Sequence, residues 1–440
     1  MSGRKVLQIS GFTLLTLLLI GLALFQPVDD RPLNQQAYYL SALARVDSIR
    51  PSLAKNSPFK VGWSKRNITP TRPAHLMGYG WKGDFQQVHD SLWVRSLVFE
   101  LDTLTVGLVA YDLMLAPPQV VQQARAALTD SGIDFIYFSA THTHKGYGGW
   151  GKGLGRELIS GWHDEELINL LVQRTLESLK GAHQQALPSK MAYAQINLDS
   201  LVNNRLIKNG EVEPFLRAIF FRRQDSSQAI FSSFSAHATF ITSKSRDLSA
   251  DYPGELARQL EADPMVDFAL FAAGAMGSHS PSKPREFSYL KLQTYAQRLA
   301  HPIFDANENL TYDSVAQLTF AEIDLPLGKP QLRISDQWQL RPVWFRQILG
   351  EHQPRLSFLQ LGEITLVSTP GDFSGLLYPR IKSGENPVIV TSFNGEYIGY
   401  LIPSEYYHLN HRETRSINWY GTYTGDYVTN IINKYLLSTK

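Results

Sequence analysis

Short apolar runs that read as strands recur along the chain and alternate with helical patterns, and this mixture constrains the fold more than any other feature. The runs are Leu97 to Asp102, Leu104 to Leu113, Phe135 to Ala140, Met191 to Leu198, Leu216 to Arg222, Ala229 to Phe234, Phe268 to Ala273, Leu318 to Leu325, Leu356 to Leu361, Ile364 to Ser368 and Val388 to Ser392. Between them, residues 163–180 place Leu167, Leu171, Thr175, Leu176 and Leu179 at helical spacing behind a capping residue, Asp164. Residues 118–129, 254–262, 288–302 and 421–437 follow the same pattern. Strands and helices mixed in this way predict an α/β fold, a mixed β-sheet core with flanking helices.

The N-terminus adds a separate expectation. Residues 6–25 are mostly apolar, preceded by Arg4 and Lys5 and followed by Asp29 and Asp30. A run of about 20 such residues is long enough to cross a bilayer, and positive flanks stay cytoplasmic. The sequence thus predicts one N-terminal transmembrane helix, a signal-anchor over residues 1–30, with the body membrane-anchored on the non-cytoplasmic side. A cleaved signal peptide fits less well, because Ala23-Leu24-Phe25-Gln26 makes a poor small-x-small site. Residues 31–58 read as a stalk, and residues 59–440 as one catalytic domain.

Composition narrows the partners. With 43% hydrophobic and 19% charged residues the body resembles an ordinary globular enzyme. A formal charge of +2 gives no basic field, so no nucleic acid partner is expected. The count of zero cysteines excludes disulfides and a lipid-modified cysteine anchor.

Chemistry concentrates at the ends of the strand-like runs, where α/β sheets bind ligands. Thr141-His142-Thr143-His144 follows one run and precedes Gly146, Gly148 and Gly149. Residues i and i+2 of a strand share a face, so the two imidazoles would leave the sheet side by side, as metal ligands do. The glycines would let the backbone approach whatever the histidines hold. Other run ends lead into Ser235-Ala236-His237, Gly277-Ser278-His279-Ser280, Pro370-Gly371-Asp372 and Tyr397-Ile398-Gly399-Tyr400. Taken singly, each has a bland alternative as a satisfied buried histidine, a turn acid or a loop serine.

Taken together they resemble the catalytic domain of the neutral/alkaline non-lysosomal ceramidases, which hydrolyse the amide bond of N-acylsphingosines. The resemblance runs through Val61 to Pro70, Leu76-Met77-Gly78-Tyr79, Leu92 to Ser96, Ala140 to His144, Asn204-Arg205, His237-Ala238-Thr239, Pro370-Gly371-Asp372-Phe373, Tyr397 to Leu401 and Tyr420 to Thr424. It implies a zinc ion held by His142, His237, Asp372 and Tyr400. It also implies that His144, Arg205 and Ser280 stand beside the metal as catalytic groups, with Tyr407 matching a tyrosine of the last loop. Zinc bound this way lowers the pKa of a water to about 7 and polarises a carbonyl.

The chain departs from the family pattern at several places. Lys145-Gly146-Tyr147 stands where a Ser-Gly-Pro is usual and would put a cation and a ring at the pocket mouth. Ser278 replaces an acid, Asp372 replaces a glutamate, and Arg412 replaces a tyrosine. The C-terminal immunoglobulin-like domain of full-length members has no counterpart after the last helix. The expected function is a zinc-dependent amidohydrolase acting on a lipid amide such as ceramide. The alternatives are hydrolysis of a different amide or ester by the same metal centre, and a catalytically silent, membrane-tethered binding protein.

Overall fold

In the strand Leu104–Tyr111, successive side chains leave opposite faces, and both faces are covered. Val106, Leu108 and Ala110 enter one core, whereas Val109 and Tyr111 enter another. A strand buried on both sides needs a layer on each, and the computed structural model supplies them. It describes residues 3–55, 57–80 and 82–439, with side chains described throughout except at 3–9, 11, 129, 130 and 154.

The larger sheet has eight strands in the order Phe268–Ala273, Gln228–Phe234, Phe215–Arg223, Leu187–Asn197, Lys60–Asn67, Trp93–Leu101, Leu104–Tyr111, Phe135–Ala140. Its interior pairs are antiparallel and the pair at each edge is parallel. The smaller sheet has five strands in the order Ser52–Lys55, Gln317–Asp324, Arg355–Leu361, Ile364–Thr369, Val388–Ser392, with only the last pair parallel.

The two sheets face each other across a core that joins Phe99, Tyr137 and Ile219 to Leu318, Leu359 and Leu366. Helices Pro118–Ala126 and Glu165–Gln184 cover one half of the large sheet's outer face. Helices Asp251–Leu260 and Tyr289–Glu308 cover the other half. The small sheet is covered by Ala37–Ser48, Pro342–Leu349 and Thr424–Ser438. The result is a helix–sheet–sheet–helix sandwich, an α/β fold as the sequence predicts, with the expected cap in place where Asp164 Oδ1 accepts from Leu167 N at 3.2 Å.

The N-terminal expectations change. A helix forms over Gly3–Leu24, but among the described residues no helix is long and apolar enough to cross a membrane. Part of the expected span, residues 6–25, lies outside the described side chains. The transmembrane helix and the membrane partner are therefore not supported. The end of this helix is fastened to the body. Arg341 Nε donates to Leu22 O at 2.8 Å, Trp344 Nε1 donates to Ala23 O at 3.0 Å, and the strand Phe25–Pro27 pairs with Trp338–Leu340.

The segment read as a stalk is also part of the body. Ala42 and Val46 of the helix Ala37–Ser48 are buried against the C-terminal helix, and Ser52–Lys55 is the edge strand of the small sheet. An amphipathic helix followed by four residues of edge strand carries too short a pattern to read as structure in isolation.

Leu359 is fully buried between the sheets, whereas Leu53, on the edge strand, is 53% exposed. Leu359→Ala is expected to cost about 2–5 kcal/mol of stability through lost burial and the cavity left behind, and Leu53→Ala no more than about 0.5 kcal/mol. Denaturant midpoints of the two variants test this; equal shifts would contradict the assignment of the core.

Candidate metal centre

The strand Phe135–Ala140 ends before the histidines, so strand alternation is not what brings them together. His142 has a left-handed backbone, φ 61°, a conformation uncommon for a side-chain-bearing residue and more frequent for His than for most. It turns the imidazole under Phe393, whose ring stacks on it at 3.8 Å and 4°. Its Nδ1 lies 2.6 Å from Met114 O. His144 Nδ1 lies 2.8 Å from Gly78 O, and Gly78 cannot be replaced freely, because it has φ +134° and a Cβ there would meet His144 Cα at 2.7 Å. His237, in the loop after Gln228–Phe234, has Nδ1 3.3 Å from Met276 O and 3.2 Å from Arg205 Nη1.

A carbonyl oxygen only accepts, so His142 and His144 satisfy their carbonyls by carrying the proton on Nδ1, which leaves their Nε2 atoms bare. His237 Nδ1 stands between an acceptor, Met276 O, and a donor, Arg205 Nη1, so these contacts do not fix its tautomer. The three Nε2 atoms face one another at 3.0 Å for His142 and His237, 3.1 Å for His144 and His237, and 3.3 Å for His142 and His144. Nε2 lone pairs so close repel unless a proton or a cation lies among them. Donors about 2.0–2.1 Å from a tetrahedral metal stand about 3.3 Å apart, so the buried trio is compatible with a metal site.

Asp372 lies beside two members of the trio, His142 and His237. It lies on the short strand Asp372–Phe373, paired in parallel with Tyr400–Leu401. Its Oδ1 is 3.5 Å from His142 Nε2 and 3.9 Å from His237 Nε2, and has no hydrogen-bond partner of its own. Its Oδ2 accepts from Tyr397 Oη at 2.6 Å. Burial pushes the Asp372 carboxyl up to about 7 against the opposing pull of Tyr397 and Arg205. The same burial drives His142 down to about 3 and His144 and His237 well below the ordinary imidazole value. A neutral imidazole set beside an unpartnered carboxylate oxygen is the donor set a divalent cation takes.

The model of the neutral/alkaline non-lysosomal ceramidase N-terminal region matches residues 59–281. The chain belongs to this family. Among solved structures, neutral ceramidase from Pseudomonas aeruginosa aligns with a TM-score of 0.74 at 17% identity, over 87% of this chain and 75% of that one. A ceramidase complexed with C2 gives 0.72 at 17% identity, over 87% and 76%. No curated protein matches. The shared fold and the family make the chain a hydrolase of amide bonds.

The remaining expected site residues of this ceramidase-family chain divide into two groups. Arg205 reaches the trio, with Nη1 against His237 and Nη2 paired to Glu413 Oε1 at 2.8 Å. Tyr400 is buried with its ring 6.4 Å from that of His237 and nearly parallel to it, and burial raises its phenol far above the usual range. His144, expected beside the metal, instead stands in the trio on equal terms with the other two. Ser280 pairs with Asn203 in a two-stranded ribbon, and no hydrogen bond joins it to the histidines. Tyr407 is not brought to the centre, since its buried ring packs under the Arg333 guanidinium at 4.1 Å.

Two expectations from the motif are corrected. Lys145 and Tyr147 do not line a pocket mouth: both are buried, Lys145 Nζ donating to Ser245 O and Tyr147 Oη to Ile68 O. The glycines after the histidines hold neighbouring backbone rather than the site, with Gly148 N donating to His75 O and Gly149 N to Ser160 O. Ser278 and His279 bond each other at 2.7 Å, and His279 Nε2 accepts from Glu213 N, so both are tied into the scaffold. Tyr397 and Glu413 carry contacts that sequence reading missed. Tyr397 lay inside a quoted motif, but nothing in its spacing marked it as the partner of Asp372.

Buried neutral imidazoles resist protonation. In the metal-free protein the C2 proton resonances of His142, His144 and His237 are expected to keep neutral-form shifts from pH 8 down to pH 5. Titration of the three near 6.5 by NMR would contradict the buried arrangement.

Proposed function

We propose that the chain is a zinc-dependent amidohydrolase that cleaves the N-acyl bond of a lipid amide such as ceramide, releasing a fatty acid and an amine. The observation that carries this reading is an apolar cleft that shares one wall residue, Tyr397, with the surroundings of the metal centre. Tyr397, whose hydroxyl binds Asp372, is one of its walls, and Met77, Leu115, Trp150, Ile159 and Trp419 form others. The cleft is open to solvent, with a cavity volume of about 90 Å³, and its mostly apolar lining suits a stretch of hydrocarbon chain. The ceramidase complexed with C2 shares this fold, which supports a lipid amide as the substrate class.

In this reading His142, His144 and His237 hold the zinc, with Asp372 Oδ1 as an oxygen donor and Tyr400, its partner across the short ribbon, as a further one. The ion supplies a polarised carbonyl and a water acidic enough to attack near neutral pH. The chain's own groups do the rest. Arg205, held by Glu413 and fully charged, offers its guanidinium to the carbonyl oxygen as negative charge develops there. The Nδ1 hydrogen bonds to Met114, Gly78 and Met276 fix the ring orientations, which keeps the donor set from reorganising during the reaction. The apolar walls orient the acyl chain and exclude competing water.

A second reading is favoured by one observation. Glu396 and Arg156 also line the cleft, and burial raises the Glu396 carboxyl. Charge on that wall serves nothing in a substrate with two plain tails, and would suit an amide or ester carrying a polar group.

Incubation with fluorescent short-chain ceramide and with N-acyl amino acids, with and without chelator, separates the two readings. Chelator-sensitive release of fatty acid from ceramide is expected; release only from the other substrates would favour the second, and no turnover with zinc bound would sink both. His237→Ala is expected to lower kcat/KM by on the order of 10³-fold or more, and Arg205→Met by about 10²–10³-fold. Ser280→Ala should stay within about tenfold of the native rate, since Ser280 is not bonded to the centre. Ile159→Trp should reduce turnover of long acyl chains more than of short ones, and an equal effect on both would remove the cleft from the acyl path.

A further inference from the structure

The segment Ser249-Ala250-Asp251-Tyr252 belongs to no motif considered above, yet it is bonded to both histidine-bearing loops. On one side Thr143 Oγ1 donates to Ser249 O at 2.8 Å and Ser249 N donates to Lys145 O at 3.0 Å, so the segment grips the residues flanking His144. On the other side Asp251 Oδ1 accepts from Phe240 N at 3.1 Å and Oδ2 from Ile241 N at 2.9 Å, while Tyr252 Oη donates to Ala236 O. These bonds bracket His237. Asp251 also accepts from Tyr252 N at 2.7 Å. The segment is anchored in turn by Asp90, which accepts from Ala250 N at 2.8 Å and from Ser249 Oγ.

Asp251 is 1% exposed and holds a left-handed backbone with φ 57°. A non-glycine residue in that region carries strain that the surroundings must over-determine. Here the over-determination is visible, because the carboxylate has three backbone N–H donors and the strained geometry aims it at the His237 loop. Between the two gripped loops stand His144 Nε2 and His237 Nε2, 3.1 Å apart, and one direct backbone bond, His144 N to Ala238 O at 3.3 Å.

We propose that Asp251 is a positioning residue of the metal centre, and that the Ser249–Tyr252 segment is a buckle that sets the separation of His144 and His237. The inference rests on the metal reading for its consequence, but its structural part stands on the hydrogen bonds alone. An asparagine at 251 keeps the shape and replaces one acceptor oxygen with an NH₂ group that meets a backbone N–H, so one loop contact is lost without loss of volume.

The test uses the full chain. Zinc affinity of Asp251→Asn, measured by competition with a chromophoric chelator, is expected to fall about 10–100-fold, the range for groups that orient ligands, and the visible spectrum of the cobalt-substituted protein is expected to change. In the metal-free protein, hydrogen exchange should accelerate in both residues 142–145 and residues 236–241 but not in the strand Phe135–Ala140, which a general loss of stability would also affect. Native zinc affinity in the variant, or unchanged exchange in either loop, overturns the proposal. Should the native chain bind no zinc, the metal reading falls and the exchange comparison still decides the role of Asp251. If Asp251→Asn does not fold, Thr143→Val and Tyr252→Phe each remove a single hydroxyl of the buckle and are expected to weaken zinc binding several-fold; no change in both overturns it equally.

Discussion

Three imidazole nitrogens facing one another inside a buried site are the constraint on which the rest of the centre depends. Each is aimed by a carbonyl from a different segment, Met114, Gly78 or Met276. Those segments meet only because the sandwich brings the ends of its parallel-edged strands together. Near that end the two sheets are joined by hydroxyls rather than by apolar side chains. Ser139 Oγ donates to Ser392 O, Ser368 Oγ to Phe138 O, and Ser392 Oγ to Gly274 O. Hydrogen bonds are directional where apolar contacts are not. The core between the sheets thus changes from tolerant packing to fixed geometry as it nears the site.

The same burial that orients the donors makes them costly. Asp372 Oδ1 has no hydrogen-bond partner, and an ionised carboxylate in such a place is expensive unless paired. The neutral histidines cannot neutralise it, since burial holds them unprotonated. A cation among the four donors relieves both the carboxylate and the crowded lone pairs. Arg205 is the nearest fixed positive charge, but it is already shared with Glu413, which leaves its remaining N–H groups as donors rather than as the counter-ion of Asp372.

Most strands were legible because their runs are apolar and alternate, as in Phe135–Ala140, whose bounds coincide with the pattern. Lys60–Asn67 was not, since its sequence KVGWSKRN hides the alternation under polar residues that are partly covered by helix Glu165–Gln184. The helix Ala37–Ser48 and the strand Ser52–Lys55 depend on partners hundreds of residues away, and a local window holds no trace of them. At the site, the residues that converge were legible through their place at strand ends. Their roles were not. Whether His144 joins the trio depends on the left-handed turn at His142, and whether Tyr407 approaches it depends on Arg333, which takes the ring instead. Asp251 left no mark, because a buried acid before Tyr-Pro reads as an ordinary helix start.

The aspartate at 372, one methylene shorter than the glutamate the family resemblance leads one to expect, shows how backbone and side chain trade reach. A shorter acid holds the same donor position only if its backbone stands closer to the centre. Asp372 lies in a two-residue ribbon pressed between glycines: Gly371 comes so near the opposite strand that a Cβ there would meet Gly399 O at 2.3 Å. That approach needs a residue without a side chain at 371, while Gly399 is required by its own left-handed backbone and by Ile417 O, which a Cβ there would meet at 2.4 Å. The carboxylate then arrives 3.5 Å from His142 Nε2 with one oxygen free and the other held by Tyr397. The substitution is therefore read as a geometric exchange rather than the loss of a ligand, and the oxygen it leaves free lies beside the imidazole nitrogens of His142 and His237.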